Sequence, residues 1–409
     1  VTNISGQRTL ELSQTIAAPL RRLDETLDKA ALLPSSRRFG GTSVLPRVAR
    51  TGDQLNVETG AGPRYVPLRE LGVGGMGEVA LVEDRDIGRK VARKRLLPGS
   101  GAPDVMRFVD EVHVVGKLDH PGIVPIHDVG LDDQGEFFYV MKYVEGETLE
   151  SVVERIRAED PATLATWTPT HRVSVIVSLL RALDYAHEKG ILHRDLKPAN
   201  VMLGKYGEVM LMDWGVARPI GGLPDAADPA APSNSMASRG RVASTHAGTL
   251  VGTPIFMSPE QATGATDALD GRSDLYAVGL MLHELMAGSH LHDGIEDLNT
   301  LLVRAMRMEA PSAFALTNQG ISPDLSHFLH KALQHAPANR WQTAGEMADE
   351  LEAILDGRCA IQCPMTLTKR SVRGFARFVD RRPFLAVAAV LTGLTTFVSL
   401  GVFAFLHGR

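Results

Sequence analysis

Cysteine is almost absent: 409 residues hold two, Cys359 and Cys363. That excludes a disulfide framework and suits a reducing compartment for most of the chain. Four apart and without a nearby His or Cys partner, the two are read as plain thiols, with lipidation beside a membrane as the alternative. Aromatic residues are also sparse, at 5%, and neither sign of charge dominates: 43 Lys and Arg stand against 48 Asp and Glu, a net charge of -5. So mild an acidity gives no electrostatic footprint for nucleic acid, which is not expected as a partner. Residues 1–30 carry charges throughout and lack the apolar core of a secretory signal. Hydrophobic residues are present in ordinary amount, 44%, enough for a large core.

Four regions follow from the composition. Residues 1–62 mix polar residues with short apolar clusters, and Pro34-Ser35-Ser36 and Gly40-Gly41 mark a loose linker. This part is expected to be mostly flexible, with one amphipathic stretch over 9–33. Next come β-type runs at 65–71, 78–83, 90–95, 123–129 and 137–143, interrupted by a helical segment at 104–118. Beyond Glu147 the pattern turns helical. Val173, Ile176, Leu179, Leu180 and Leu183 repeat at helical spacing, and further helices are expected at 273–285, 298–308, 323–333 and 343–355. The fold class is therefore α+β, with a smaller sheet lobe over about 63–143, a larger mostly helical lobe over about 146–358, and a cleft between them. Residues 216–250, rich in Ala, Pro, Gly and Ser, read as a mobile loop.

A basic stretch over 359–383, with Lys369, Arg370, Arg373, Arg377, Arg381 and Arg382, leads into 384–406. From Phe384 to Leu406 every residue is apolar or small and uncharged. As a helix such a run rises about 30 Å, enough to span a bilayer core. One C-terminal transmembrane helix is expected, and the positive-inside rule puts the residues before it in the cytoplasm, on the inner face of the cell membrane.

Several residues carry chemistry. Gly72-Val73-Gly74-Gly75-Met76-Gly77-Glu78-Val79 fits G-x-G-x-x-G-x-V. Glycines let backbone approach phosphates, but a dinucleotide-binding turn fits the same letters; such a turn should open a helix, whereas these glycines join two β-type runs. Lys94, in Val91-Ala92-Arg93-Lys94, sits in a strand one face of which can point into the cleft, and Ala92 leaves room for a purine. Glu111 can pair with Lys94 from the helical segment. Asp110 is its rival, and Glu111 is preferred because Phe108, Val112 and Val115 share its face.

The most specific run is Ile191-Leu192-His193-Arg194-Asp195-Leu196-Lys197-Pro198-Ala199-Asn200. With it, the chain resembles the eukaryotic-like serine/threonine protein kinases of bacteria, of single-pass membrane type, over about 65–355, the motifs standing in order at the expected separations. The resemblance implies a two-lobed kinase fold and transfer of the ATP γ-phosphoryl group, with Mg²⁺ (or Mn²⁺ in its place), to Ser and Thr hydroxyls of proteins, the chain's own loop included. It implies that Asp195 accepts or orients the hydroxyl proton, that Lys197 neutralises the γ-phosphoryl group, and that Asn200 and Asp213 bind the metal. Lys94, held by Glu111, would meet the α- and β-phosphates. Leu71 and the glycine loop would cover the nucleotide. Ala92, Met141 and Met202 would line the adenine site, and the connector Lys142-Tyr143-Val144 would supply backbone hydrogen bonds.

The chain departs from the family's pattern in three places: Trp214 follows Asp213 where Phe is usual, Ser258-Pro259-Glu260 replaces Ala-Pro-Glu, and Lys142 replaces a glutamate. Support roles carry over to the Glu260–Arg340 pair, to Asp274 beneath the catalytic loop, and to Thr253 near Asp195. Arg194 suits control by loop phosphorylation, with Thr249 and Thr245 as acceptors. Family members often activate by dimerisation, which adds a homodimer to the bilayer, ATP and protein substrates as partners. The alternative is a silent kinase-fold scaffold at the membrane, disfavoured because Lys94, Asp195 and Asp213 are all present.

Overall fold

The computed structural model describes residues 47–51, 54–58, 63–74, 77–215, 218–219, 254–264, 269–295 and 297–358, with the single position Thr395. The expected loop over 216–250 except Arg218 and Pro219, both phosphorylation candidates, Thr253, both cysteines, the basic stretch and, Thr395 apart, the 384–406 span lie outside the described residues. Among the described residues no helix is long and apolar enough to cross a membrane.

Two strands, β1 (Arg47–Thr51) and β2 (Gln54–Glu58), pair antiparallel within the region 1–62 that was expected to be mostly flexible, with Val48 opposite Val57.

The small lobe is a five-stranded antiparallel sheet. Its strands are β3 (Tyr65–Val73), β4 (Gly77–Asp84), β5 (Arg89–Leu96), β6 (Ile126–Leu131) and β7 (Phe137–Lys142), in the order β3-β4-β5-β7-β6. Register decides its faces. Lys94 lies between Val79 and Tyr139, and Ala92 between Leu81 and Met141, so these side chains share one face. The opposite face buries Val82, Val91, Phe138 and Val140 with Tyr65.

Helix α1 (Ala102–Val115) covers the Lys94 face. Pro103 starts it, and Val105, Phe108, Glu111 and Val115 form its buried stripe, Phe108 lying 5.2 Å from the Tyr139 ring. It ends at Gly116 rather than running to Leu118. Likewise β6 starts at Ile126 instead of Ile123, because Pro125 has no N–H for the ladder. Ile123 bridges Leu211 instead, tying this segment to the larger lobe.

In the larger lobe, α2 (Leu149–Arg157), α3 (Pro161–Thr166) and α4 (Pro169–Glu188) precede the short strand β9 (Ile191–Leu192). After these come β10 (Val201–Gly204), β11 (Val209–Leu211) and β12 (Arg218–Pro219). The remaining helices are α5 (Pro259–Ala262), α6 (Gly271–Ala287), α7 (Leu298–Arg307), α8 (Ala313–Asn318), α9 (Pro323–Ala332) and α10 (Ala344–Leu355). Helix α4 is the core element: Ile176, Leu179, Leu180 and Leu183 are buried against α6 and α10. Helix α6 stops at Gly288, whose φ of 70° closes the last turn. Strand β8 (Gly146–Thr148) joins β10 and β11 as a three-stranded floor beneath the cleft.

Buried titratable groups gather at the C-terminal end of α6: His283, Glu284, His290 and His292. Neither ring nitrogen of His292 has a partner among the described residues, and His290 packs edge-on to Phe256 with centroids 4.8 Å apart. Burial, with neighbouring His292, His283 and Arg157, pushes His290 down to about 3; burial and Arg304 push His292 down to about 4. His283 is lowered by burial against its bond to Gln319. Glu284 moves the other way, up to about 7, because its burial outweighs a 2.8 Å contact with the half-exposed Arg157, and Asp293 adds to the rise.

The imidazoles stay neutral in the fold and charge on unfolding, so their stabilisation is whole above about pH 6.5 and is lost as pH falls towards their folded values. Glu284 contributes in the reverse sense and loses its share as pH rises through about 7. Three lowered imidazoles outweigh one raised carboxyl. The melting temperature is expected to fall between about pH 7 and pH 5, and to fall less in His292→Phe. A flat melting profile for the original chain over that range would refute this.

Candidate active site

The alternation of β5 points Lys94 into the cleft, and the buried stripe of α1 brings Glu111 beneath it. Lys94 Nζ donates to Glu111 Oε1 and Oε2 at 2.8 and 2.9 Å and to Asp213 Oδ1 at 3.3 Å. Tyr139, one register position across on β7, donates its hydroxyl to Glu111 Oε1 at 2.7 Å. Burial works against the Lys94 ammonium, but Glu111 and Asp213 outweigh it and hold its pKa above the ordinary lysine value. Burial and the Glu111 carboxylate keep the Tyr139 hydroxyl protonated well past its usual range.

The catalytic-loop candidates form a second network. Lys197 Nζ donates to Asp195 Oδ2 at 2.9 Å, and Asn200 Nδ2 donates to Asp195 O and Oδ2 at 2.8 and 3.3 Å. Asp274 supports the loop from below, accepting the N–H groups of His193 and Arg194 at 2.9 Å each and lying 2.9 Å from His187 Nε2. Burial raises the Asp274 carboxyl, yet the His187 bond and the two nearby imidazoles reverse this and keep it below the usual range. Arg194 sits at φ 69° and Asp213 at φ 64°, left-handed conformations uncommon for any residue but glycine, though aspartate tolerates them better than arginine.

His193 Nε2 lies 3.1 Å from Met212 O, and its ring is 4.6 Å from Trp214, which is almost wholly buried. The indole thus packs in the main core beneath Asp213, with no hydrogen-bond partner for its Nε1 among the described residues.

Asp213 and Asn200 suit a magnesium ion. Desolvation by the walls around it raises the Asp213 carboxyl although its side chain is 40% exposed, but Lys94 and His193 bring it below the ordinary range, so it is anionic at neutral pH. Asn200 spends its Nδ2 on Asp195, which leaves the amide oxygen for a cation. One carboxylate and one amide oxygen are hard donors, and Mg²⁺ commonly takes few protein ligands and completes its shell with substrate phosphates and water. Among the described residues no group of three or more His, Cys, Asp or Glu could hold a metal unaided.

Above this floor, β3 and β4 meet at the glycine turn, where Gly74 N donates to Gly77 O at 2.8 Å. Gly75 and Met76 lie outside the described residues. A Cβ at Gly77 would collide with the Arg95 carbonyl, so glycine is needed there. At Gly72 a Cβ would meet open space, and at Gly74 it would only touch the Gly77 carbonyl oxygen at 3.9 Å. Leu71, Val73 and Glu78 belong to the same hairpin, and Val79 and Ala92 share the cleft face. Met141 and Met202 pack beside buried Val144 and Met210, giving an apolar wall and floor, and Lys142 N donates to Pro125 O at 3.1 Å.

Away from the cleft, Arg340 is wholly buried and meets Glu260 through two bonds, at 2.7 and 2.8 Å. Sequence reasoning passed over Tyr139, His187, Ser273 and Gln261. Ser273 Oγ donates to Glu260 Oε1 at 2.7 Å. For Gln261 a signal was available: Ser258-x-x-Gln261 is a capping-box pattern.

The protein kinase domain model matches residues 65–351, and the chain belongs to that family. Serine/threonine-protein kinase PknB of Mycobacterium tuberculosis is 35% identical over 311 residues, covering 75% of this chain and 45% of PknB. Serine/threonine-protein kinase PknD of Protochlamydia amoebophila is 31% identical over 313 residues, covering 75% of this chain and 31% of that protein. The crystal structure of the Mycobacterium tuberculosis PknI kinase domain aligns with a TM-score of 0.48 at 28% identity, covering 71% of this chain and 95% of that one. The chain thus spans less than half the length of these two curated relatives.

Proposed function

We propose that the chain is an active serine/threonine protein kinase. The observation that carries this is the closed Lys94–Glu111 pair, 2.8 Å apart, reaching Asp213 while Asp195, Lys197 and Asn200 form one bonded set. Asp195 orients the substrate hydroxyl and takes its proton as the hydroxyl oxygen bonds to the γ-phosphorus. The bond from that phosphorus to the β–γ bridging oxygen breaks, and ADP leaves with that electron pair. Lys197 neutralises the transferring group, and Lys94 holds the α- and β-phosphates. Asn200 and Asp213 would hold a magnesium ion, which would neutralise charge on the phosphates. Such a transfer needs positioning and charge more than covalent help from the protein.

The test is incubation of the chain with labelled ATP, Mg²⁺ and a generic Ser/Thr protein substrate. Transfer that disappears in Lys94→Met supports the reading. That variant should lower kcat on the order of 100-fold. It should also melt earlier, since Glu111 then keeps only the Tyr139 bond among those described. Nucleotide binding without transfer under any condition tried would leave the scaffold reading standing instead.

Anchoring by 384–406, with the kinase domain in the cytoplasm, belongs to the same proposal and rests on the apolar run and the arginines before it. Release of the expressed chain from membranes by alkaline wash would refute it. Autophosphorylation at Thr249 or Thr245 rests on the Ser/Thr content of that segment and on Arg194 beside Asp195; phosphosite mapping after incubation with ATP would test it.

A further inference from the structure

Arg194 is the one residue of the catalytic loop 193–197 held at positive φ, 69°, and its peptide links lead directly into Asp195. Its N–H is held by Asp274 Oδ1 at 2.9 Å. Its carbonyl is held from the other side: Gln261 Nε2 donates to Arg194 O at 2.8 Å, across 67 residues of sequence. The other end of the same amide is also engaged, with Gln261 Oε1 accepting from Ser258 N and Ser258 Oγ, both at 3.0 Å. Gln261 N in turn donates to Ser258 Oγ at 3.3 Å, completing the capping box of α5.

A backbone N–H at one end and a backbone C=O at the other leave no choice in the orientation of the amide. Gln261, Arg194, Asp195 and Asp274 line one small cavity together with Leu196, Phe256, Met257 and Ala277, so the link sits where the loop after residue 253 meets the catalytic loop.

We infer that Gln261 is a positioning residue for phosphoryl transfer: its amide couples the segment starting at Pro254 to the backbone that aims Asp195. The inference rests on the kinase reading above. Its chemistry is specific to an amide. A carboxylate at 261 can still accept from Ser258 and cap α5, but it cannot donate, and it would set negative charge against the Arg194 carbonyl oxygen. An apolar side chain loses both ends. A left-handed Arg194 persists only while its surroundings over-determine it, and Asp274 and Gln261 are the two groups that hold its peptide N–H and C=O.

The test compares the original 409-residue chain with Gln261→Glu and Gln261→Ala, reading steady-state kinetics and hydrogen exchange of the 191–197 backbone. In Gln261→Glu at about pH 8, kcat is expected to fall on the order of tenfold or more with KM for ATP nearly unchanged, and exchange of 191–197 to quicken. Because a protonated carboxyl can donate, the deficit relative to the original chain should narrow as pH is lowered towards about 6. A residue serving only to cap α5 would show none of this in the Glu variant, which keeps the cap. Original kcat and original exchange in Gln261→Glu overturn the inference. So does a lower kcat with unchanged exchange and no recovery at lower pH. If Gln261→Ala fails to fold, the Glu variant still decides. If the original chain transfers no phosphate, the kinase reading fails, and exchange in the Glu variant alone judges the coupling.

Discussion

Asp195→Asn is expected to remove phosphoryl transfer almost completely, lowering kcat on the order of 1000-fold or more, with the fold intact. The substitution is close to isosteric, and the loop backbone does not depend on this side chain: Asp274 holds His193 and Arg194, and Asn200 Nδ2 also bonds the Asp195 main-chain carbonyl. On the proposed reading the substrate proton loses its charged acceptor, and Lys197 loses the carboxylate partner 2.9 Å away. General-base participation contributes about 10²–10⁴-fold, and loss of the charge beside Lys197 adds to that. Labelled-phosphate transfer to a Ser/Thr substrate measures the effect, and a melting curve checks the fold. Activity within tenfold of the original chain would mean that Asp195 is not the group meeting the hydroxyl.

The largest loss of stability is expected from Arg340→Ala. Its guanidinium is fully buried and saturated: two bonds to Glu260, one each to the carbonyls of Gln334 and His335 at 2.7 and 2.8 Å, and one to that of Arg272 at 3.1 Å. It also lies over the Tyr276 ring, 4.7 Å from its centroid. Burial raises the Glu260 carboxyl, but Arg340 and Ser273 bring it below the ordinary range, so the charge left behind by the substitution would be a real one. Breaking a buried pair from one side costs about 3–5 kcal/mol, which for a domain of this size lowers Tm by roughly 10 °C. Lysine should not rescue, because it cannot reproduce the planar fork. The double variant Glu260→Leu/Arg340→Ala should lose less than the sum of the two single losses. A change of less than about 1 kcal/mol in Arg340→Ala would show the pair to be dispensable.

Much of the site could be read from the linear order. Lys94 follows the glycine turn, Asp195, Lys197 and Asn200 lie within one short run, and Asp213 comes soon after. Local chemistry shapes such runs, so their letters carry the information. Glu111 was separable from Asp110 by periodicity alone, since only one of them falls on the buried face of α1.

Element edges were less legible. Helices α2, α3, α5 and α8 went unmarked, three of them having six residues or fewer, too few to show a period. The Arg47–Glu58 hairpin also went unseen, because its flanks read as linker.

By itself the sequence determined which residues are available for chemistry, which strands alternate and which helix face is apolar, since these follow from side-chain type and a spacing of a few residues. The tertiary structure alone decided who meets whom. Tyr139 reaches Glu111 across 28 positions, Gln261 reaches Arg194 across 67, and His187 reaches Asp274 across 87. The left-handed Arg194 and Asp213 belong to the same category, because no glycine marks them and arginine in particular seldom adopts that conformation. Such conformations and contacts are set by how packed elements approach one another, and local propensity contains no term for that approach.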